Sequence, residues 1–183
     1  LDASAARAAD FVLAKMRRSD GRLLHTWRAG QAKVDAYLDD YACLINALVS
    51  VYEARFDEKY VDVAVELADQ MIAHFADRDG GGFFYTPDDG ERLISRQKDL
   101  QDSATPSGNS MAATALVRWG KLTGRTDFVE SAVGSLRGAV GLMQQYPTAA
   151  GQMLIALDWF LGPTYEIAVL GDFGQSVTQQ AIG

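Results

Sequence analysis

Cysteine is nearly absent from this chain of 183 residues: Cys43 is the single thiol, so no internal disulfide can form. Cys43 falls inside an apolar helical pattern, where a buried small hydrophobe is expected rather than a reactive thiol or a redox accessory. Histidine is almost as scarce. His25 and His74 have no Cys or acidic neighbours at ligand spacing, so neither a metal site nor a cofactor is expected. Positive charge is also short. Lys and Arg number 17 against 24 Asp and Glu, and the net charge of -7 argues against nucleic acid and anionic membranes as partners. No apolar run nears the roughly 20 residues that span a bilayer. There is no Gly-x-Ser-x-Gly elbow, and Gly80-Gly81-Gly82 lacks the Gly-Lys-Ser/Thr of a phosphate loop. A cytoplasmic setting is expected, since nothing signals export or an oxidising compartment.

What the chain has in abundance is apolar residues at helical spacing. Six helices are expected. The first carries Ala5, Ala8, Ala9, Val12, Leu13 and Met16, and stops near Ser19-Asp20-Gly21. The second carries Tyr41, Leu44, Ile45, Leu48 and Tyr52, with Asp39 or Asp40 as its cap. The third runs through Tyr60, Ala64, Leu67, Met71 and Phe75. The fourth opens at Pro106-Ser107-Gly108 and includes Trp119 on its apolar stripe. The fifth spans Phe128 to Met143, and the sixth spans Met153 to Phe160 before Gly162-Pro163. A short ribbon is expected where Gly82-Phe83-Phe84-Tyr85 and Leu93-Ile94 flank Pro87-Asp88-Asp89-Gly90. A late strand is expected over Tyr165 to Leu170.

The helices repeat. A shift of 68 residues brings Ala47 onto Ala115, Leu48 onto Leu116, Tyr60 onto Phe128 and Ala64 onto Ala132. Gly21-Arg22-Leu23-Leu24 echoes Gly82-Phe83-Phe84-Tyr85, each after an outer helix and before an inner one. Inner helices are rich in Ala and outer helices carry charge on one face, as two concentric layers require. The class is all-α: an α/α-hairpin toroid, here about half of a barrel, because six hairpins need about a dozen helices. The toroid fragment is placed at 1–170 and a patternless segment, read as cut, at 171–183. The start, Leu1-Asp2-Ala3-Ser4, reads as the interior of a longer chain. The edge of a half toroid should be apolar, so self-association through it is expected.

In such a toroid the loops before the inner helices gather at one mouth. Two polar clusters fall there. Tyr37-Leu38-Asp39-Asp40-Tyr41 pairs acids with tyrosines, a set suited to acid/base work on a sugar or to holding its hydroxyls. The simpler use is one Asp as helix cap and the other against the helix dipole. The second cluster runs from Arg96-Gln97-Lys98-Asp99 to Asp102-Ser103-Ala104-Thr105-Pro106-Ser107-Gly108-Asn109-Ser110. Ser107 is a natural N-cap, and the free N–H groups behind it suit a polarised oxygen. Asp40 and Asp102 are therefore the candidate acid/base pair. Asn109, Arg96 and Ser107 are candidates for orienting a ligand, and Tyr41 and Trp27 for stacking on it.

At Leu38-Asp39-Asp40-Tyr41-Ala42, at Asp102 through Ser110, at Gly81-Gly82-Phe83-Phe84 and at Glu166 through Gly171, the chain resembles the spermatogenesis-associated, thioredoxin-domain-containing family. That resemblance implies a six-hairpin toroid similar to those of N-acylglucosamine 2-epimerases and several glycosidases. It also implies a thioredoxin-like domain, for which this sequence holds no Cys-x-x-Cys. It supplies no catalytic residue. Two functions stand: a toroid that binds or modifies a small sugar by isomerase- or glycosidase-like chemistry, and a non-catalytic helical scaffold for a fused thioredoxin-like domain or a protein partner.

Overall fold

A computed structural model describes residues 2–90, 94–165, 169–172 and 174–182. Helix α1 (Asp2–Lys15) leads into a hairpin of β1 (Leu24–Arg28) and β2 (Gln31–Asp35). Then come α2 (Leu38–Arg55), α3 (Lys59–Phe75), α4 (Gly108–Thr123) and α5 (Thr126–Gly138). A short α6 (Val140–Gln145) and a 3-10 turn (Pro147–Ala149) precede α7 (Gly151–Leu161), and α8 (Ser176–Ile182) ends the chain. None of these helices is long and apolar enough to cross a membrane.

Side-chain bonds fix the layers. Trp119 of α4 donates its indole N–H to the Ile45 carbonyl of α2 at 2.8 Å, while Gly108, at the start of α4, lies against Leu38 at the start of α2. So α2 and α4 run parallel. In the same sense Gln152 reaches Thr114 at 2.8 Å and Lys121 reaches the Trp159 carbonyl at 2.6 Å, which sets α7 parallel to α4. These three are the inner helices. The outer layer is α1, α3 and α5, tied by Tyr60 to Asp10 and by Arg125 to Asp69. Helix α4 packs on α2, α5 and α7 together. Its small residues make this possible: Ala112, Ala113, Ala115 and Gly120 are buried with Leu116, Val117 and Trp119. Each large apolar side chain so enclosed contributes about 1.5–3 kcal/mol of transfer free energy.

The internal repeat survives in three dimensions. A bridge joins Arg17 to Leu23 after α1, and a matching bridge joins Ala76 to Phe83 after α3. The ribbon lies elsewhere than expected. Tyr85 donates to the Gln97 carbonyl and Phe84 to the Phe75 carbonyl, so the segment after Gly82 pairs with those partners and Ile94 stands in solvent. Leu93 lies outside the described residues. The two-stranded ladder is instead β1–β2, in register Leu24↔Asp35 and Arg28↔Gln31. Its turn, Ala29-Gly30, has φ of 51° and 79°, the left-handed pair that a two-residue hairpin requires. The fifth helix is broken at Ala139, which ends α5 and begins α6. The expected late strand centres on residues 166–168, outside those described, and α8 occupies part of the patternless tail.

One turn joins the two layers by close contact. Gly81 and Gly82 have φ of 69° and 70°, and a Cβ on Gly134 of α5 would lie 3.1 Å from the Gly82 nitrogen. The turn is held by Asp77, which accepts from Asp79 N (3.1 Å) and Gly80 N (3.0 Å) and pairs with Lys98. The Gly80 bond first, and then Lys98, hold the Asp77 carboxyl at about 2, below its ordinary 3.8. A folded-state value below the unfolded one adds stability above the ordinary range and loses it as pH falls from about 4 to 2. Asp77→Asn should lower the melting temperature at pH 7 and leave a smaller drop between pH 4 and pH 2 than wild type. Gly82→Ala, strained at positive φ and pushed against Asn109, should cost roughly 1–3 kcal/mol in denaturant melts.

Candidate functional site

The N-termini of α2, α4 and α7 gather at one end of the molecule, as expected of a mouth. Two links hold them there. Leu38 N donates to the Tyr85 carbonyl at 3.0 Å. The Asp102 carboxylate accepts from Ser107 N (2.9 Å) and Ser110 Oγ (2.7 Å) on one oxygen and from Gln152 N (2.7 Å) on the other. Asp102 thus bridges the first turns of α4 and α7, where free N–H groups and two helix dipoles favour a negative charge. Its three bonds explain the residue structurally, so the candidate role as a free acid or base moves elsewhere.

The other members of that cluster are also engaged in the fold. Asn109 is fully buried. Its amide donates to the carbonyls of Phe83 (2.8 Å) and Asp99 (2.9 Å) and accepts from Phe83 N (2.8 Å) and Ser135 Oγ (3.3 Å). That is every bond a primary amide offers in practice, so Asn109 holds the Gly82-Phe83 turn and not a ligand. Ser107 caps α4 by accepting from Ser110 N at 3.1 Å and is buried. Arg96 lies over the Phe84 ring at 4.3 Å and donates to the Thr86 and His74 carbonyls, so its fork is spent on backbone. Tyr41 is buried, with its hydroxyl accepting from Leu23 N at 3.0 Å, and cannot stack on a ligand. Trp27 is exposed on β1, edge-on to Phe11 at 5.4 Å.

The first cluster has a different character. Tyr37, not either aspartate, is the N-cap of α2. Asp40, three residues in, reaches back to Tyr37 N at 2.8 Å and holds His25 Nδ1 at 2.8 Å with the same oxygen. His25 meets the Tyr37 ring edge-on at 5.1 Å, and Tyr37 stacks on Tyr85 at 4.9 Å with the planes 9° apart. Asp39 lies alongside, half-buried, and accepts from Asp40 N at 3.2 Å. Burial, and then the neighbouring Asp40 charge, push its carboxyl above the ordinary carboxylate value. Burial and the two acids also push up Tyr85. A cavity of about 290 Å³ opens beside the pair, walled by Val12, Met16, Leu23, Leu24, Cys43 and Leu44. Cys43 is exposed there, against expectation, because it lines this cavity on a side of α2 that no described inner helix covers. Its thiol is raised by burial and by Asp39 and Asp40, which keeps it protonated. Tyr37 and Asp39 belong to the cluster singled out before α2, whereas the approach of His25 and Tyr85 to that cluster is tertiary and leaves no local spacing.

A second polar node is built on the turn that follows Tyr85. His74, Asp88 and Asp89 bring ligand-type atoms within 4.8 Å of one another, which local sequence spacing did not reveal. His74 Nδ1 is 3.0 Å from Asp88, and Arg22 takes both oxygens of Asp89 at 2.6 and 3.2 Å. The Arg22 charge occupies the place a cation would need, so the node reads as an ion-pair anchor for the 86–90 turn.

Three parallel inner helices backed by three outer ones define an α/α-hairpin toroid fold. Solved structures agree on the fold. A GH76 alpha-mannanase from Bacteroides thetaiotaomicron superposes with a TM-score of 0.60 at 12% identity, over 83% of this chain and 43% of that one. A UGL variant with dGlcA-Glc-Rha-Glc gives 0.59 at 17% identity, over 96% of this chain and 51% of that one. No family model matches. Among curated proteins, spermatogenesis-associated protein 20 of Rattus norvegicus is 33% identical over 163 residues, or 84% of this chain. The Homo sapiens protein is 34% identical over 137 residues, or 74% of the chain. This segment is homologous to spermatogenesis-associated protein 20. It spans about a fifth of the length of those relatives, 21% and 17%.

Removing the buried amide tests the structural assignment of Asn109. Asn109→Ala would leave the Phe83 N–H and C=O buried without partners, at about 1–3 kcal/mol each. Denaturant melts should therefore show a loss of several kcal/mol, far more than for Trp27→Ala.

Proposed function

We propose that the mouth binds a small sugar, with Asp39 and Asp40 as the polar groups that act on it. The observation that carries this reading is the adjacent pair itself: Asp40 is fixed by His25, while Asp39 is held by local backbone N–H groups and has a raised carboxyl. Two neighbouring acids with unlike environments divide naturally into a proton donor and an acceptor. Asp39, neutral to higher pH than usual, is the donor, and Asp40 is the acceptor or holds a hydroxyl. Tyr37 and Tyr85 offer an aromatic wall. The reaction would be epimerisation or hydrolysis, in keeping with the glycosidase-type fold, and that analogy supports the class of ligand alone.

A second reading, a non-catalytic scaffold, is favoured by a specific fact: Asp102, Asn109, Ser107 and Arg96 are all consumed by the fold. A thermal-shift screen against mono- and disaccharides separates the two. The expected result is a sugar that raises the melting temperature of wild type and does nothing for Asp39→Asn or Asp40→Asn, each folded by circular dichroism. Any turnover found should fall as pH rises through the raised Asp39 value, and Asp39→Asn should abolish it rather than move that limb. No stabilisation by any sugar would sink the sugar reading and leave the scaffold.

A further inference from the structure

His25 is fixed by bonds within β1 and the first turn of α2. Asp40 Oδ2 holds its Nδ1 at 2.8 Å, and the same oxygen accepts from Tyr37 N at 2.8 Å. A carboxylate oxygen that already receives one N–H at a helix N-terminus acts as an acceptor, so the proton between it and the imidazole sits on Nδ1. The other ring nitrogen, Nε2, then keeps its lone pair. Among the described residues no group bonds Nε2, and 39% of the side chain meets solvent. The Tyr37 ring braces the imidazole edge-on and is itself stacked on Tyr85.

The ribbon is strained at the same place. Its ladder pairs Leu24 with Asp35 and Thr26 with Lys33, so Val34 lies across from His25. Val34 has φ of 65°, a left-handed conformation that strains a β-branched residue and persists only where its surroundings hold it. Thr26 Oγ1 donates to the Lys33 carbonyl at 2.9 Å and keeps the ladder closed beside that residue. His74 also has its Nδ1 on an aspartate, Asp88, at 3.0 Å. Its setting differs: a second carboxylate, Asp89, lies 3.9 Å from the same nitrogen and is bound by Arg22.

We infer that His25 Nε2 is the proton acceptor of the mouth and that Asp40 is its positioning residue, acting through the imidazole rather than on the ligand. This rests on the sugar-site reading above and names the group that takes the proton in it. The step is a proton transfer from a hydroxyl or a water bound at the mouth. The O–H bond breaks, its electron pair stays on the oxygen, and an N–H bond forms at Nε2. Asp40 stabilises the imidazolium across the Nδ1–H bond. The transfer also bears on the donor. Burial first, and then Asp40, raise the Asp39 carboxyl, and His25 is near enough to oppose them. A proton arriving on His25 therefore readies Asp39 to release its own.

Two-bond proton–nitrogen NMR spectra of the chain labelled at histidine test this, since His25 and His74 are its two histidines. With the rings neutral, wild-type His25 should carry its proton on Nδ1. Asp40→Asn should move that proton to Nε2, because an amide N–H turned to the ring makes Nδ1 the acceptor, whereas Asp88→Asn should leave the His25 signals unchanged. D-glucose, D-mannose and N-acetyl-D-glucosamine are then added one at a time. A sugar that raises the melting temperature should shift the His25 Nε2 signal more than the Nδ1 signal. His25→Gln should keep that stabilisation, and any turnover of the sugar should fall in it by about 10²-fold or more. An Nε2–H ring in wild type, or a stabilising sugar that leaves the His25 signals in place, would overturn the base and leave the sugar site standing. Stabilisation by none of the three sugars would remove the sugar site itself, and the base with it, whatever the tautomer.

Discussion

The amide of Asn109 is the joint on which the rest of the structure turns. It sits at the first turn of α4, fully buried, and binds backbone groups at Phe83 and Asp99 as well as the Ser135 hydroxyl of α5. A buried amide must meet all its partners or lose free energy comparable to several bonds. That demand fixes where the Gly81-Gly82 turn crosses α5 and where the long segment after it runs. It also fixes the height at which α4 begins. The mouth is set by the same joint, because Tyr85, which receives the α2 N-terminus, lies two residues beyond Phe83.

The layered architecture was legible in the chain because it rests on periodicity. Ala47 and Ala115, or Tyr60 and Phe128, stand at equal places in a repeat, and helices that repeat must stack on one another. Trp119 was legible as core for the same reason. The ribbon was misplaced because its turn is Ala29-Gly30 rather than Asn-Gly, and Ala at positive φ gives no composition signal. The run Gly82 to Tyr85 has strand-like residues yet spends its bonds on Phe75 and Gln97.

The gathering of inner-helix N-termini was legible in the sequence, and which polar side chains stay clear of the fold's own bonds was not. Loops before inner helices did gather the polar residues, and Asp40 lies among them beside His25. The string Asp102 to Ser110 is the most distinctive in the sequence, and its distinctiveness is architectural: Asp102 staples two helix N-termini, and Asn109 clamps a glycine turn. A hydrogen bond to a distant backbone leaves no local pattern, so such residues look like ligand groups until the fold is seen. Cys43 was misjudged for a related reason. Helical spacing places it near the apolar stripe, but which neighbour covers a stripe is a property of the assembled helices.

The unequal packing of the helices bears on how motion is distributed along the chain. Helix α4 has inner neighbours on both sides, whereas α2 and α7 each have one among the described residues. In a stack of like units, local opening is easiest where a unit has a single neighbour. Backbone amides should therefore exchange with solvent most slowly along α4 and progressively faster towards α1 and α7. Within this segment the Asp39–Asp40 pair lies at the start of α2, one inner helix away from the slowest part of that gradient.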